Sequence, residues 1–203
     1  GFTNVNQNYF SNFDQILDDG RRKLFDDDQF NNDVDFSFKD LYFALNYRIR
    51  TGIFTIDPGL TLHFYENNNT QLGVTYTRDI SDIRPNLRVN MQFKKNENLR
   101  FTYRKNTQFT DVNNISEGYV FNNYNSIFKG NRELEAAIVN SYNLNYRSIN
   151  QFTFTNIFSN ISYSKRENSI QSRAAIDGIN SVRTADNSIF PRETYSARAR
   201  LDK

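Results

Sequence analysis

Apolar and polar residues alternate with a period of two along most of this chain. Leu87, Val89, Met91 and Phe93 alternate with Arg88, Asn90, Gln92 and Lys94. After Lys95–Asn98, Leu99, Phe101 and Tyr103 alternate with Arg100, Thr102 and Arg104. A period of two marks a strand with one apolar and one polar face. The two runs therefore read as a hairpin whose apolar residues share a face.

The same pattern recurs on both sides. Val34, Phe36 and Phe38 alternate, the phase slips at Lys39-Asp40, and Leu41, Phe43, Leu45, Tyr47 and Ile49 continue it. A one-residue slip predicts a bulge there. Further strands are expected around Phe54–Phe64, Leu72–Tyr76, Tyr142–Tyr146, Phe152–Phe154, Ile161–Tyr163 and Tyr195–Leu201. Residues 1–32 read as an irregular loop or strand end, and 33–203 as the sheet. About seven strands of eight to twelve residues result, in nearest-neighbour antiparallel order, with almost no helix.

Connection lengths sharpen this picture. Lys95–Asn98 and Arg147–Gln151 are tight, whereas stretches near 106–140 and 167–192 are long and aperiodic. Tight turns at one end and long loops at the other are the mark of a transmembrane β-barrel. Strands of about ten residues also suit a tilted bilayer crossing. The fold class expected is all-β, an antiparallel up-and-down meander forming part of such a barrel. Its apolar face would touch lipid and its polar face would line a wet lumen. The alternative is a soluble sheet with one face on a core and the other in water. That form would act as a binding module, using exposed Tyr and Phe for carbohydrate or protein.

Composition adds limits. The 203 residues include 19 Phe and 12 Tyr, which argues against disorder despite a mean hydropathy of −0.73. The net charge of +2 is spread out, so no concentrated basic stripe marks a nucleic-acid surface. Without cysteine there is no disulfide framework and no thiolate metal site. No apolar run is long enough for a membrane helix.

Candidate chemistry is sparse. The single histidine, His63, alternates onto the polar face with Thr61 and Tyr65, where it reads as a surface or lumen residue. Asp26-Asp27-Asp28 with Asn31, Asn32, Asp33 and Asp35 is oxygen-rich, but it lacks the spacing of a calcium loop and reads as a solvated acidic loop. No phosphate-binding loop or cofactor motif is present, and no enzyme is expected.

The stretch Leu99–Asn150 resembles the C-terminal barrel region of TonB-dependent outer-membrane receptors, particularly the large barrel family of Bacteroidetes. The residues that carry it are Gly130, Asn131, Leu134 and Glu135, followed by Asn140, Tyr142, Leu144 and Tyr146. Arg132 stands in place of the family's proline, and Ala136-Ala137 in place of Pro-Glu. The resemblance extends over roughly 30–203 and includes "IDPGLTLHFY" and "DIRPNLRVNMQF". It implies a bacterial outer-membrane location, lipid as a partner, and uptake of a nutrient or metal chelate. It also implies a plug domain and a TonB-type energy coupler, neither of which lies in this chain. Gly130-Asn131 would be an architectural turn at the extracellular end, with the positive φ that glycine and asparagine tolerate. A complete barrel of the family has about 22 strands, so an internal fragment is expected.

Overall fold

The computed structural model describes residues 1–24, 28–123, 126–177 and 180–203. Strand takes up 76% of it and helix 3%, so the all-β expectation holds. Fifteen strands lie among the described residues. In chain order they are β1 (Phe2–Ser11), β2 (Asp14–Ile16), β3 (Arg22–Leu24), β4 (Asn32–Asn46), β5 (Ile49–Thr51), β6 (Phe54–Gln71), β7 (Val74–Lys94), β8 (Glu97–Gln108), β9 (Tyr119–Asn123), β10 (Ser126–Lys129), β11 (Ala137–Asn150), β12 (Thr155–Glu167), β13 (Ile170–Asp177), β14 (Asn180–Asn187) and β15 (Arg192–Asp202). A 3-10 turn spans Asp28–Phe30, and one short helix, α1, spans Val112–Ile115.

The main sheet has the order β1-β4-β6-β7-β8-β11-β12-β15, with β5 against β6. Every pairing in it is antiparallel. It is a meander, as the alternation predicts. Connections β4–β6, β7–β8 and β11–β12 lie at one end and are tight. Those from β1 to β4, β8 to β11 and β12 to β15 lie at the other end and are long. The β6–β7 turn at that far end is tight too, with Leu72 at φ +48° and Gly73 at φ +77°. Two successive positive φ values suit the right-handed twist of a hairpin. β6 and β7 therefore project together as a long ribbon.

Several boundaries differ from the sequence reading. Phe2–Ser11, expected as irregular, is a full strand paired residue by residue with β4. Its alternation is hidden because Asn4, Asn6 and Asn8 occupy the outer face. The expected bulge at Lys39-Asp40 is absent: β4 pairs with β1 and β6 without any shift. What slips is the apolar face, not the backbone. Val34 is only 1% exposed, and Phe36 and Phe38 lie on its face, packed beneath the long connections, whereas Leu41, Phe43 and Leu45 point the other way. The real irregularity sits in the opening hairpin, where the register shifts between Gln92 and Lys94 and leaves Phe93 unpaired. Phe152 and Phe154, expected in a strand, form the β11–β12 turn, whose Phe152 and Thr153 amides donate to Asn150 Oδ1. The long connections are not aperiodic coil: β9, β10, β13 and β14 form a second sheet.

The faces are well separated. Leu87, Val89 and Met91 sit opposite Tyr103, Phe101 and Leu99, so the two runs share a face as expected. On this face Phe43 is 60% and Leu45 74% exposed. The buried cluster of Ile115, Leu134 and Ala185 lies elsewhere, in the long connections, packed against Phe36. No core covers the apolar face among the described residues.

Candidate functional site

The long connections form an ordered cover at one end of the polar face. Asp111 caps α1 by accepting from the Asn113 amide at 3.1 Å. Two buried amide side chains of the sheet then hold the segment after α1. Gln71 Nε2 donates to Ile115 O at 2.8 Å, and its Oε1 accepts from the Glu117 amide at 2.9 Å. Asn32 Oδ1 accepts from the Gly118 amide at 2.9 Å. A buried amide costs free energy unless all its groups are paired, so each clamp fixes one geometry.

Gly130, Asn131, Leu134 and Glu135 come together in this cover. Gly130 N–H donates to Ser116 O at 2.8 Å, and Asn131 N–H to Asn114 O at 2.7 Å. Gly130 does not take the positive φ expected of it; close approach explains it instead. A Cβ there would meet Ser116 O at 2.5 Å and Asn114 O at 2.6 Å. Asn131 Oδ1 accepts from the Glu133 amide, and Leu134 is buried with Ile115 and Ala185. Glu135 joins the second long connection: its amide donates to Asn187 Oδ1 at 2.8 Å, and its Oε2 accepts from Asn168 Nδ2 at 3.0 Å. Arg78 of β7 lies 3.5 Å from its other oxygen. Parallel pairing of β10 with β14 also ties the two connections together.

Below the cover, the polar face is a wall of paired charges and rings. His63 Nδ1 lies 2.9 Å from Asp40 Oδ1, so that nitrogen carries the proton toward the carboxylate. The imidazole stacks between Tyr42 and Tyr65, at 5.4 and 5.2 Å. Tyr65 also packs on Phe38 and Phe109. This packing and pairing account for the residue without invoking catalysis. One strand over, Asp82 is 9% exposed and meets Arg84 and Lys105, each at 2.9 Å, as well as Thr107 Oγ1. Asp82 contacts β8 where the β7–β8 ladder has ended, beyond Asn86 and Arg104.

The acidic stretch is described only in part. Asp26 and Asp27 lie outside the described residues, and among the described ones no three His, Asp or Glu side chains are placed to hold a metal ion. Asn32 is instead a clamp of the cover, with its Nδ2 donating to Ser11 Oγ. Sequence reasoning missed Gln71, Asn32, Asn187 and Asp82. All four are polar residues, and no local signal separates a polar side chain that will bond across the fold from one left in solvent.

No family model matches this sequence, and no curated protein matches it. Solved structures do. One is the hemophore receptor HasR of Serratia marcescens, in complex with its hemophore HasA and heme. It matches with a TM-score of 0.63 and 12% identity over 98% of this chain and 39% of that one. Another is the siderophore receptor PirA of Pseudomonas aeruginosa, with a TM-score of 0.56 and 9% identity over 98% of this chain and 47% of that one. This chain has the fold of part of a TonB-dependent receptor barrel. It spans less than half the length of either receptor.

Proposed function

We propose that this chain is part of the wall of an outer-membrane, receptor-like transporter that takes up a nutrient or metal chelate. One observation carries the reading. On the apolar face, Tyr103, Tyr142, Tyr163 and Tyr195 lie side by side across β8, β11, β12 and β15, with ring centroids 4.8, 5.7 and 4.8 Å apart. The next row toward the long connections is polar: Asn140, Lys165 and Glu193 stand opposite one another. The rows toward the tight turns hold Phe101, Leu144, Ile161 and Ala197, and then Leu99, Tyr146, Ser159 and Ala199. On β4, β6 and β7 the same face turns from Leu41 and Phe64 to Lys39, Glu66 and Asp79. An apolar band ending in a tyrosine row and then in charge is the pattern of a lipid boundary.

In this reading the long connections lie outside the cell and the polar face lines the lumen. The order of Gly130, Asn131, Leu134 and Glu135 before Tyr142-x-Leu144-x-Tyr146 supports the Bacteroidetes group of these barrels. Plug domain, energy coupler and remaining strands would come from outside this chain. The soluble binding module needs a core on the apolar face, where Leu45 and Phe43 are exposed instead. Spin labels at Val89 and Phe101, in the full-length protein in liposomes, test the reading. Both should be relaxed by oxygen dissolved in lipid and spared by a water-soluble nickel chelate; relaxation by nickel at both sites sinks it.

A further inference from the structure

The polar face of β6, β7 and β8 carries more positive charge than its own acids neutralise. Two depressions lie against it. One, of about 400 Å³, is lined by Arg48, Asp57, Asn86, Arg88, Thr102 and Arg104 among others. The second, of about 340 Å³, is lined by His63, Arg84, Asn86, Arg104, Lys105 and Asn106 among others. Asn86 and Arg104 belong to both, so the two are contiguous. Each is within the size range of small-molecule sites.

The cations there are Arg48, Arg84, Arg88, Arg104 and Lys105, against the carboxylates of Asp57 and Asp82. Asp57 is taken by Arg48 at 2.6 Å, and Asp82 by Arg84 and Lys105. Arg88 stands directly opposite Asp57 across the β6–β7 ladder, but Asp57 pairs with Arg48 instead, and neither Arg88 nor Arg104 makes an ion pair among the described residues. Both are exposed on the polar face. Register places Arg88 opposite Thr102 and Arg104 opposite Asn86, so the two arginines are diagonal neighbours across β7 and β8. Such neighbours stand roughly 7–8 Å apart, close enough for two guanidinium forks to grip one ligand. The amides of Asn86 and Asn46 and the hydroxyl of Thr102 add donors around them.

We propose that this double depression binds a small oxyanion with more than one negative group, carboxylate or phosphate, with Arg88 and Arg104 as its principal ligands. The proposal rests on the reading of the polar face as the lumen, and it gives the cargo or its passage a charge. A guanidinium suits the task because it presents a planar pair of donors and stays charged at any working pH.

The test uses the full-length protein in detergent micelles at roughly 0.15 M salt, where long-range attraction is largely screened. Sodium citrate and sodium pyrophosphate are titrated separately by calorimetry. At least one should saturate; the stronger of the two tells carboxylate from phosphate. The R88Q/R104Q variant should weaken that binding by at least about tenfold, the loss of one or two charge-assisted bonds. R22Q, on β3 and outside both depressions, should leave it unchanged. Absence of saturation by either probe overturns the proposal, as does an unchanged affinity in R88Q/R104Q or an equal loss in R22Q. The spin label at Val89 reads the other proposal separately. Lipid at Val89 without anion binding sinks only this inference, and water at Val89 with anion binding sinks only the membrane reading.

Discussion

Asp82 holds two cations at once, as no other carboxylate does among the described residues. Removing its charge leaves Arg84 and Lys105 half-buried beside each other without a counter-ion. Asp82→Asn should lower stability by about 2 kcal/mol, the scale of hydrogen bonds to a charged group. The measurement is the urea midpoint of the full-length protein in micelles. Because the pair is shielded, added salt should restore little of the loss. An unshifted midpoint means the cluster is ornamental. Gly130 is limited by a different force. A methyl group there would press on two backbone carbonyls that cannot swing aside. Gly130→Ala should open the cover, which limited proteolysis would read as faster cutting within 109–136, with the main sheet intact. Leu72 is the converse case, a β-turn residue held at positive φ against its preference. Asn tolerates that region, and Asn-Gly is a favoured pair for this turn. Leu72→Asn should therefore stabilise, by roughly 1 kcal/mol, the low end of the cost of one strained φ; a lower urea midpoint would contradict it.

At the scale of elements, alternation made the strands and their faces legible, but not the register, which depends on the bulge at Phe93. The shared face of β7 and β8 could be read because both runs carry uninterrupted apolar positions, from Leu87 to Met91 and from Leu99 to Tyr103. Two things were not legible. In β4 the apolar residues change sides between Phe38 and Leu41, since the environment changes from cover to open face while the backbone runs straight. A local pattern records that only as a phase slip. The long connections were harder still, because β10 finds its partner β14 more than fifty residues away, and parallel pairing leaves no hairpin signal. The motif Gly130–Glu135 was visible as a resemblance, but its partners Asn168 and Asn187 were not, since nothing in the chain marks which asparagine will bond to a distant residue. Their joint placement predicts coupled behaviour. Glu135→Ala removes the acceptor of Asn168 and the partner of Arg78, so amide exchange should quicken in β9–β10 and in β13–β14 together. Faster exchange in only one pair would show that the connections fold independently.

At the scale of the molecule, β1 pairs only with β4 and β15 only with β12, so both sheet edges are open among the described residues. An open edge presents unpaired N–H and C=O groups, which lipid cannot satisfy. The apolar face adds a second demand, since water does not tolerate so broad an exposed band. Together these make the sheet incomplete in either solvent: in a bilayer it needs more strands, and in water it needs a cover. Covering the apolar face alone would leave the edges reactive, and pairing the edges alone would leave the face wet. A closed barrel in lipid answers both at once, which is why the edges and the face support the same reading. Residues 1–203 expressed alone should therefore sediment as oligomers or aggregates without detergent, through edges such as β15, and should give no discrete conductance in planar bilayers. A monodisperse, detergent-free monomer would favour the soluble binding module, and a stable unitary conductance would mean that this sheet closes by itself.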